Sequence, residues 1–397
     1  MRFFYKDSNC MFNRIARASL ALSFCLSAFA NQAQALPFVD KFKLFPAKKD
    51  QPVKKVDPED FVEVKELHPE KAKRIDKHLK LGDMFFKRND LTNAMLEYEE
   101  VAKLDKENFK AHYMLGKVLM AMSDYEEAAK EFTRLIELRP TSGDAHYMKA
   151  EALRMLGDND GAIDGYELSL KANPRRAVAH AYLGECYRTK EDYRLAVREC
   201  KEAIKLDPKL VIPHLVLAKT YAVTRLLDLS DEHYRKAVAL NPRDPVTHVQ
   251  YGLALGKKEK WDEAEKEFKR AIELDANNAE GHTGLAWVYA KQGKLEDALE
   301  EARLAVSLKP NEADTHSSLA WVYSQNGDHT ASVMQYRLAL KIDPNNPELH
   351  RALGMALKER GDIDGAIAEL LHTTKMLPHD YEAQLALKDL MEKRVDK

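Results

Sequence analysis

The 397-residue chain is poor in the residues that most chemistry needs. It holds four cysteines, three tryptophans and 16 glycines. The cysteines form no C-x-x-C pair, and no H-E-x-x-H, phosphate-binding glycine loop or nucleophile elbow occurs. Thiol-redox, zinc-hydrolase, nucleotide-hydrolase and serine-hydrolase centres of the usual design are thereby excluded. Charge of one sign is lacking too: Lys+Arg is 62 against Asp+Glu 64, with no basic block, so nothing supports a nucleic-acid partner. What the chain has is 45% hydrophobic and 32% charged residues, a composition that folds.

Long apolar runs are also missing. The one candidate, Ala18 to Ala30, follows Arg14 and Arg17 and leads to Ala33-Gln34-Ala35, an A-x-A cleavage pattern. It is short for a membrane span, so residues 1–35 read as a signal peptide, with Met11 an alternative start to Met1. Phe24 before Cys25 argues against a lipid anchor there. This predicts export to a periplasmic or extracellular space. Residues 36–68 carry prolines at 37, 46, 52 and 58 and lysine pairs at 48–49 and 54–55 without apolar periodicity, which reads as a flexible linker. Cys186 and Cys200 are the cysteines left after cleavage. In an oxidising compartment they are either a disulfide or two small buried thiols.

From residue 75 the sequence repeats every 34 residues, nine times, starting at 75, 109, 143, 177, 211, 245, 279, 313 and 347. Position 8 is always Gly or Ala (Gly82, Gly116, Ala150 and so on), and position 20 is Ala or Ser. Small residues at both places let two antiparallel helices approach closely. Position 24 is usually large, as Tyr98, Phe132, Tyr166 and Phe268 show, and fills the space between them. Proline stands at position 32 in seven repeats, where the second helix must stop. Polar turns such as "KQGK" at 291–294 join the two helices. Repeat five departs from the pattern: its turn lacks glycine and carries Leu226, Leu227 and Leu229, either a small exposed patch or a kink.

This pattern resembles the tetratricopeptide repeat family over residues 75–380. The resemblance implies an all-α fold: a right-handed superhelical solenoid of helix-turn-helix units, with the first helix of each unit lining a concave face. Stacking is also required physically, because one such unit cannot bury its own apolar face. The array is expected over 69–380, and "YEAQLALKDLMEKRVDK" at 381–397 reads as a C-terminal capping helix.

At about 100° per residue, positions 4, 7, 8 and 11 of the first helix fall on one arc and 2, 5, 9 and 13 on the opposite one. The motif "LAWVY" occurs at 285–289 and 319–323, placing Trp287 and Trp321 at position 9, on the expected concave wall. Ile212, Leu215, Val246, Val249 and Leu253 extend that wall as an apolar stretch, and Tyr113 and Tyr147 belong to a more polar wall in the earlier repeats. An apolar concave patch with tryptophan is a candidate partner-binding surface. The competing reading is that the rings stiffen the stack. Trp261, at position 17, reads as structural. Position 9 holds no asparagine, so the family's carboxylate clamp is not present.

Position 4 is histidine in all nine repeats: His78, His112, His146, His180, His214, His248, His282, His316 and His350. Equivalent positions of stacked repeats lie farther apart than one metal ion can bridge, so this is a structural slot and not a metal site. If the rings are buried and neutral, acid must charge them and loosen the array. Together these features predict a non-catalytic, cofactor-free scaffold that binds a protein or peptide partner, with no integral membrane span. A glycan-handling role in envelope assembly, with the tryptophans stacked on sugar rings, is the alternative.

Overall fold

A computed structural model describes residues 68–395. The expected signal peptide and nearly all of the linker lie outside these residues. Among the described residues there are nineteen α-helices and no strand. They divide into two compact units, with the boundary between Val216 and Leu217.

The first unit contains α1 (Pro69–Lys87), α2 (Leu91–Leu104), α3 (Phe109–Ala121), α4 (Tyr125–Leu138), α5 (Gly143–Leu156), α6 (Asn159–Ala172), α7 (Ala177–Thr189) and α8 (Tyr193–Leu206). Helix α9 (Val211–Val223) spans the boundary. The second unit continues with α10 (Leu227–Leu240), α11 (Pro245–Lys257), α12 (Trp261–Leu274), α13 (Ala279–Lys291), α14 (Leu295–Leu308) and α15 (Ala313–Gln325). It ends with α16 (His329–Ile342), α17 (Pro347–Arg360), α18 (Ile363–Met376) and α19 (Tyr381–Val395). The odd-numbered helices α1 to α17 are the first helices of the nine repeats, and the even-numbered ones are the second.

Local chemistry fixes where each helix begins and turns. In repeats one to four, eight and nine the second helix is capped by the aspartate at position 16; Asp124, for example, accepts from the Glu127 N–H. Position 15 sits in the left-handed region in every repeat. Glycine occupies it four times, at 157, 293, 327 and 361, and Asn89, Ser123, Glu191, Arg225 and Glu259 hold it elsewhere. The turn of repeat five is therefore not a kink. Arg225 has φ +65°, like its counterparts, and Leu226 and Leu229 are simply exposed. Leu226 replaces the usual aspartate, and α10 starts without a side-chain cap.

The core is built as the pattern requires. Tyr98, Phe132, Tyr166, Phe268 and Leu370, all at position 24, are fully buried. A Cβ added to Gly116 would fall 2.5 Å from the Phe132 ring, so the position-8 glycine is what lets the aromatic lie flat between its helices. In repeat four the position-24 side chain is Cys200, whose sulfur takes the same place against Gly184. Each helix packs on the next within its unit, and α19 closes the series against α18. In the second unit the first helices also touch one another, α11 against α13 and α13 against α15. The small residues Gly256, Thr283, Gly284, Ser317 and Ser318 on those helices are all buried, which permits that approach.

Candidate binding surface

The approach of first helix to first helix decides the fate of the tryptophans. Trp287 is only 3% exposed. Its six-membered ring rests on the Gly256 backbone of α11, where any Cβ would overlap it, and it stands edge-on to Trp261 with ring centroids 5.3 Å apart. Val249 and Leu253 are buried as well, at 1% and 5%. In the first unit Tyr147 is 7% exposed, stacked beneath the Arg176 guanidinium and tilted against Tyr166. These four residues were expected on an open wall, and that expectation is corrected. A helical wheel ranks positions 5 and 9 as outward for an isolated helix, but here neighbouring chain covers them.

The other expected wall residues keep accessible surface. Trp321 and Val246 in the second unit, and Tyr113, Ile212 and Leu215 in the first, are all partly exposed. Trp321 packs one side on the cluster of Ala286, Ala298 and Leu319. The Lys291 ammonium lies 5.4 Å from its ring centroid, a cation–π arrangement. Burial lowers the Lys291 pKa from its ordinary value, with Glu259 acting in the opposite sense.

Sequence inspection placed Lys117, Asp144, Glu151 and Glu185 on the polar wall but missed the groups they pair with, and it missed Glu280 altogether. In the second unit Glu280 on α13 is drawn in beside Lys309, 3.6 Å away, and burial raises its pKa above the ordinary carboxylate value. In the first unit Arg154 donates to Glu151 at 3.1 Å and to the Tyr166 hydroxyl at 3.2 Å, with its guanidinium carbon 4.3 Å from the Tyr182 ring centroid. Glu151 also accepts from the Tyr166 hydroxyl, and Arg176 pairs with Asp144. Arg188 repeats the theme with a bidentate contact to Glu185. The spacing of Glu151 and Glu185, one repeat apart and each three residues before an arginine, was the signal available. The Lys117 ammonium lies 5.5 Å from the centroid of Phe86 and 5.6 Å from that of Tyr113.

Cys186 on α7 and Cys200 on α8 are buried free thiols, and burial pushes the Cys186 thiol up to about 12. Among the described residues no cluster of His, Cys, Asp or Glu is arranged to hold a metal ion, and no helix is long and apolar enough to cross a membrane.

The fold is thus an all-α helical repeat solenoid. Family profiles described as tetratricopeptide repeat match residues 113–174, 251–313 and 179–210, and a further profile described as TPR repeat matches 82–123 and 322–361. The chain belongs to the tetratricopeptide repeat family, whose arrays serve as protein–protein interaction scaffolds and are generally non-catalytic. No curated protein sequence matches it. Among solved structures it is similar to the Cut9–Hcn1 hetero-tetramer of the APC/C, with TM-score 0.54 and 16% identity over 75% of this chain. The match spans 59% of that protein's length. It is also similar to a tetratricopeptide repeat protein from Parabacteroides merdae ATCC 43184, with TM-score 0.54 and 16% identity, covering 63% of this chain and 99% of that one. At such identities the likeness establishes the fold alone.

Proposed function

We propose that the chain is an exported, non-catalytic scaffold that holds a partner peptide or helix, with Trp321 as an aromatic anchor of the second unit. The observation carrying this reading is the contrast between the two "LAWVY" tryptophans. Trp287 is consumed by packing, whereas Trp321 stays partly exposed, with the Lys291 ammonium over its ring. A partly exposed tryptophan with a lysine ammonium beside its ring suits an extended segment that offers an apolar side chain and a carboxylate. Ile212, Leu215 and Tyr113 are the corresponding contact points proposed for the first unit. Export rests on the signal-like segment ending at Ala35, and N-terminal sequencing of the envelope or culture fraction tests it. A chain starting near Leu36 supports export; an intact N-terminus in the cytosolic fraction removes it.

The binding reading is tested by affinity capture from native extract with Trp321→Ala beside the parent, both verified as folded by circular dichroism. Loss of a captured polypeptide with Trp321→Ala supports the anchor. Capture that is unaffected by this change assigns the ring to the scaffold. A captured glycan would replace the peptide reading with the envelope-assembly one.

A further inference from the structure

The position-4 histidines do more than fill a seam. His112 places Nδ1 2.6 Å from the Glu131 carboxylate and Nε2 3.0 Å from the Lys106 carbonyl. His180 does the same with Glu199 at 2.6 Å and the Pro174 carbonyl at 3.1 Å. His248 pairs with Glu267 at 2.6 Å and the Pro242 carbonyl at 3.1 Å. His282 pairs with Glu301 at 2.6 Å and the Ala276 carbonyl at 3.3 Å. In each case the carboxylate belongs to the second helix of the same repeat, and the carbonyl to position 32 of the repeat before. The ring is therefore a tie between successive repeats.

Both partners are pure acceptors. A neutral imidazole has one N–H to donate, so it leaves one of the two contacts unmade; only the imidazolium donates to both. We propose that His112, His180, His248 and His282 are proton-dependent clamps between repeats, complete when each ring carries two protons, so that both units of the array tighten as pH falls from 8 to 6.

The surrounding charges support this. For His112 the Glu131 hydrogen bond, the Lys106 carbonyl and the Glu131 charge together raise the pKa, against burial and Arg134. For the other three, burial is the largest influence and opposes the charge, yet the net direction is upward. The glutamate and carbonyl contacts outweigh it, helped by Glu202 at His180 and by Asp275 at His282, and resisted by Arg270 at His248. Arg198 also pairs with Glu199, at 2.7 Å, and Arg134 with Glu131, at 2.9 Å. A group whose pKa rises on folding contributes fully below its unfolded value, about 6.5 for histidine, and the contribution is lost as pH climbs through the folded value. This reverses the acid-loosening expectation, because the rings are buried beside acceptors and not among apolar groups.

The chain carries its own controls. His316 faces Gln335 Oε1 at 2.8 Å, an amide with no charge to complement the imidazolium, and the Pro310 carbonyl at 3.0 Å. In repeat three the residue corresponding to the glutamate is Gly165, and His146 contacts the Pro140 carbonyl at 2.8 Å. His350 contacts Glu369 and the Pro344 carbonyl but also lies against the His372 ring, with centroids 4.2 Å apart.

The test is thermal unfolding of the full chain between pH 8 and pH 6, beside the four-site variant Glu131→Gln/Glu199→Gln/Glu267→Gln/Glu301→Gln, with histidine ring titrations by NMR. The parent is expected to gain about 5 °C in Tm on going to pH 6. The variant should lose that gain, and its His282 ring should titrate at lower pH than in the parent. A Tm that is flat or falls over this interval overturns the proposal, as does a gain retained in full by the variant. Should the four-site variant fail to fold, Glu301→Gln alone serves. Its His282 ring is expected to titrate at lower pH than in the parent, and an unmoved titration overturns the clamp.

Discussion

Trp287 stands edge-on to Trp261, with ring planes at 84° and centroids 5.3 Å apart, and the first of these rings closes over Gly256. Three elements, α11, α12 and α13, are locked by that one contact. Tryptophan at position 9 is therefore structural in repeat seven, while Trp321 in repeat eight keeps accessible surface from the same motif.

Removing each ring should separate the two roles. Trp287→Ala leaves a cavity between three helices and is expected to destabilise the second unit by about 3–5 kcal/mol. Trp321→Ala, with less apolar surface covered, should cost only about 1 kcal/mol. Urea unfolding followed by circular dichroism measures both. Equal losses would mean that Trp321 is as deeply embedded in the stack as Trp287.

A second prediction concerns the turns. Glu191 is held at φ +65° at position 15, where glycine stands in four of the nine repeats. A side chain in that region costs about 1–2 kcal/mol, part of which glycine returns through its freer unfolded chain. Glu191→Gly is therefore expected to stabilise by about 0.5–1 kcal/mol. Asn89→Gly should gain less, because asparagine tolerates this conformation. Chemical denaturation of the two variants side by side checks the ranking, and a destabilised Glu191→Gly would show that the Glu191 side chain contributes more than the strain it imposes.

These cases show where sequence reasoning reached and where it stopped. The 34-residue period, the small residues at positions 8 and 20 and the aromatic at 24 are one-dimensional signatures of a pairwise packing rule, and Gly116 against Phe132 is that rule in space. Trp287 was misplaced because its neighbour, Gly256, lies in the preceding repeat and a wheel drawn for one helix contains no preceding repeat. The histidines were placed in the right slot, but without their hydrogen-bond partners. Glutamate nineteen residues after His112, His180, His248 and His282 was readable as a recurring pair, whereas the backbone carbonyl that completes each clamp leaves no trace in residue identity. Arg225 settles a choice the sequence left open between an exposed patch and a kink: the backbone takes the same left-handed conformation without glycine, and the leucines beside it are exposed.

Glu280 gives a pH dependence of its own. Burial raises its carboxyl pKa more than Lys309 lowers it, and Glu312 and Asp314 add like charge. Folding therefore favours the protonated form. The favourable linkage is fully present below the unfolded glutamate value, about 4.3, and is lost as pH rises through the higher folded value. At neutral pH the ionised side chain is a burden on the second unit. Glu280→Gln, which keeps the shape and removes the charge, should raise Tm at pH 7.5 and leave it nearly unchanged at pH 4. Melting curves at the two pH values decide the matter. A variant that melts lower at pH 7.5 would mean that the Lys309 contact stabilises the fold by more than burial of the carboxylate costs.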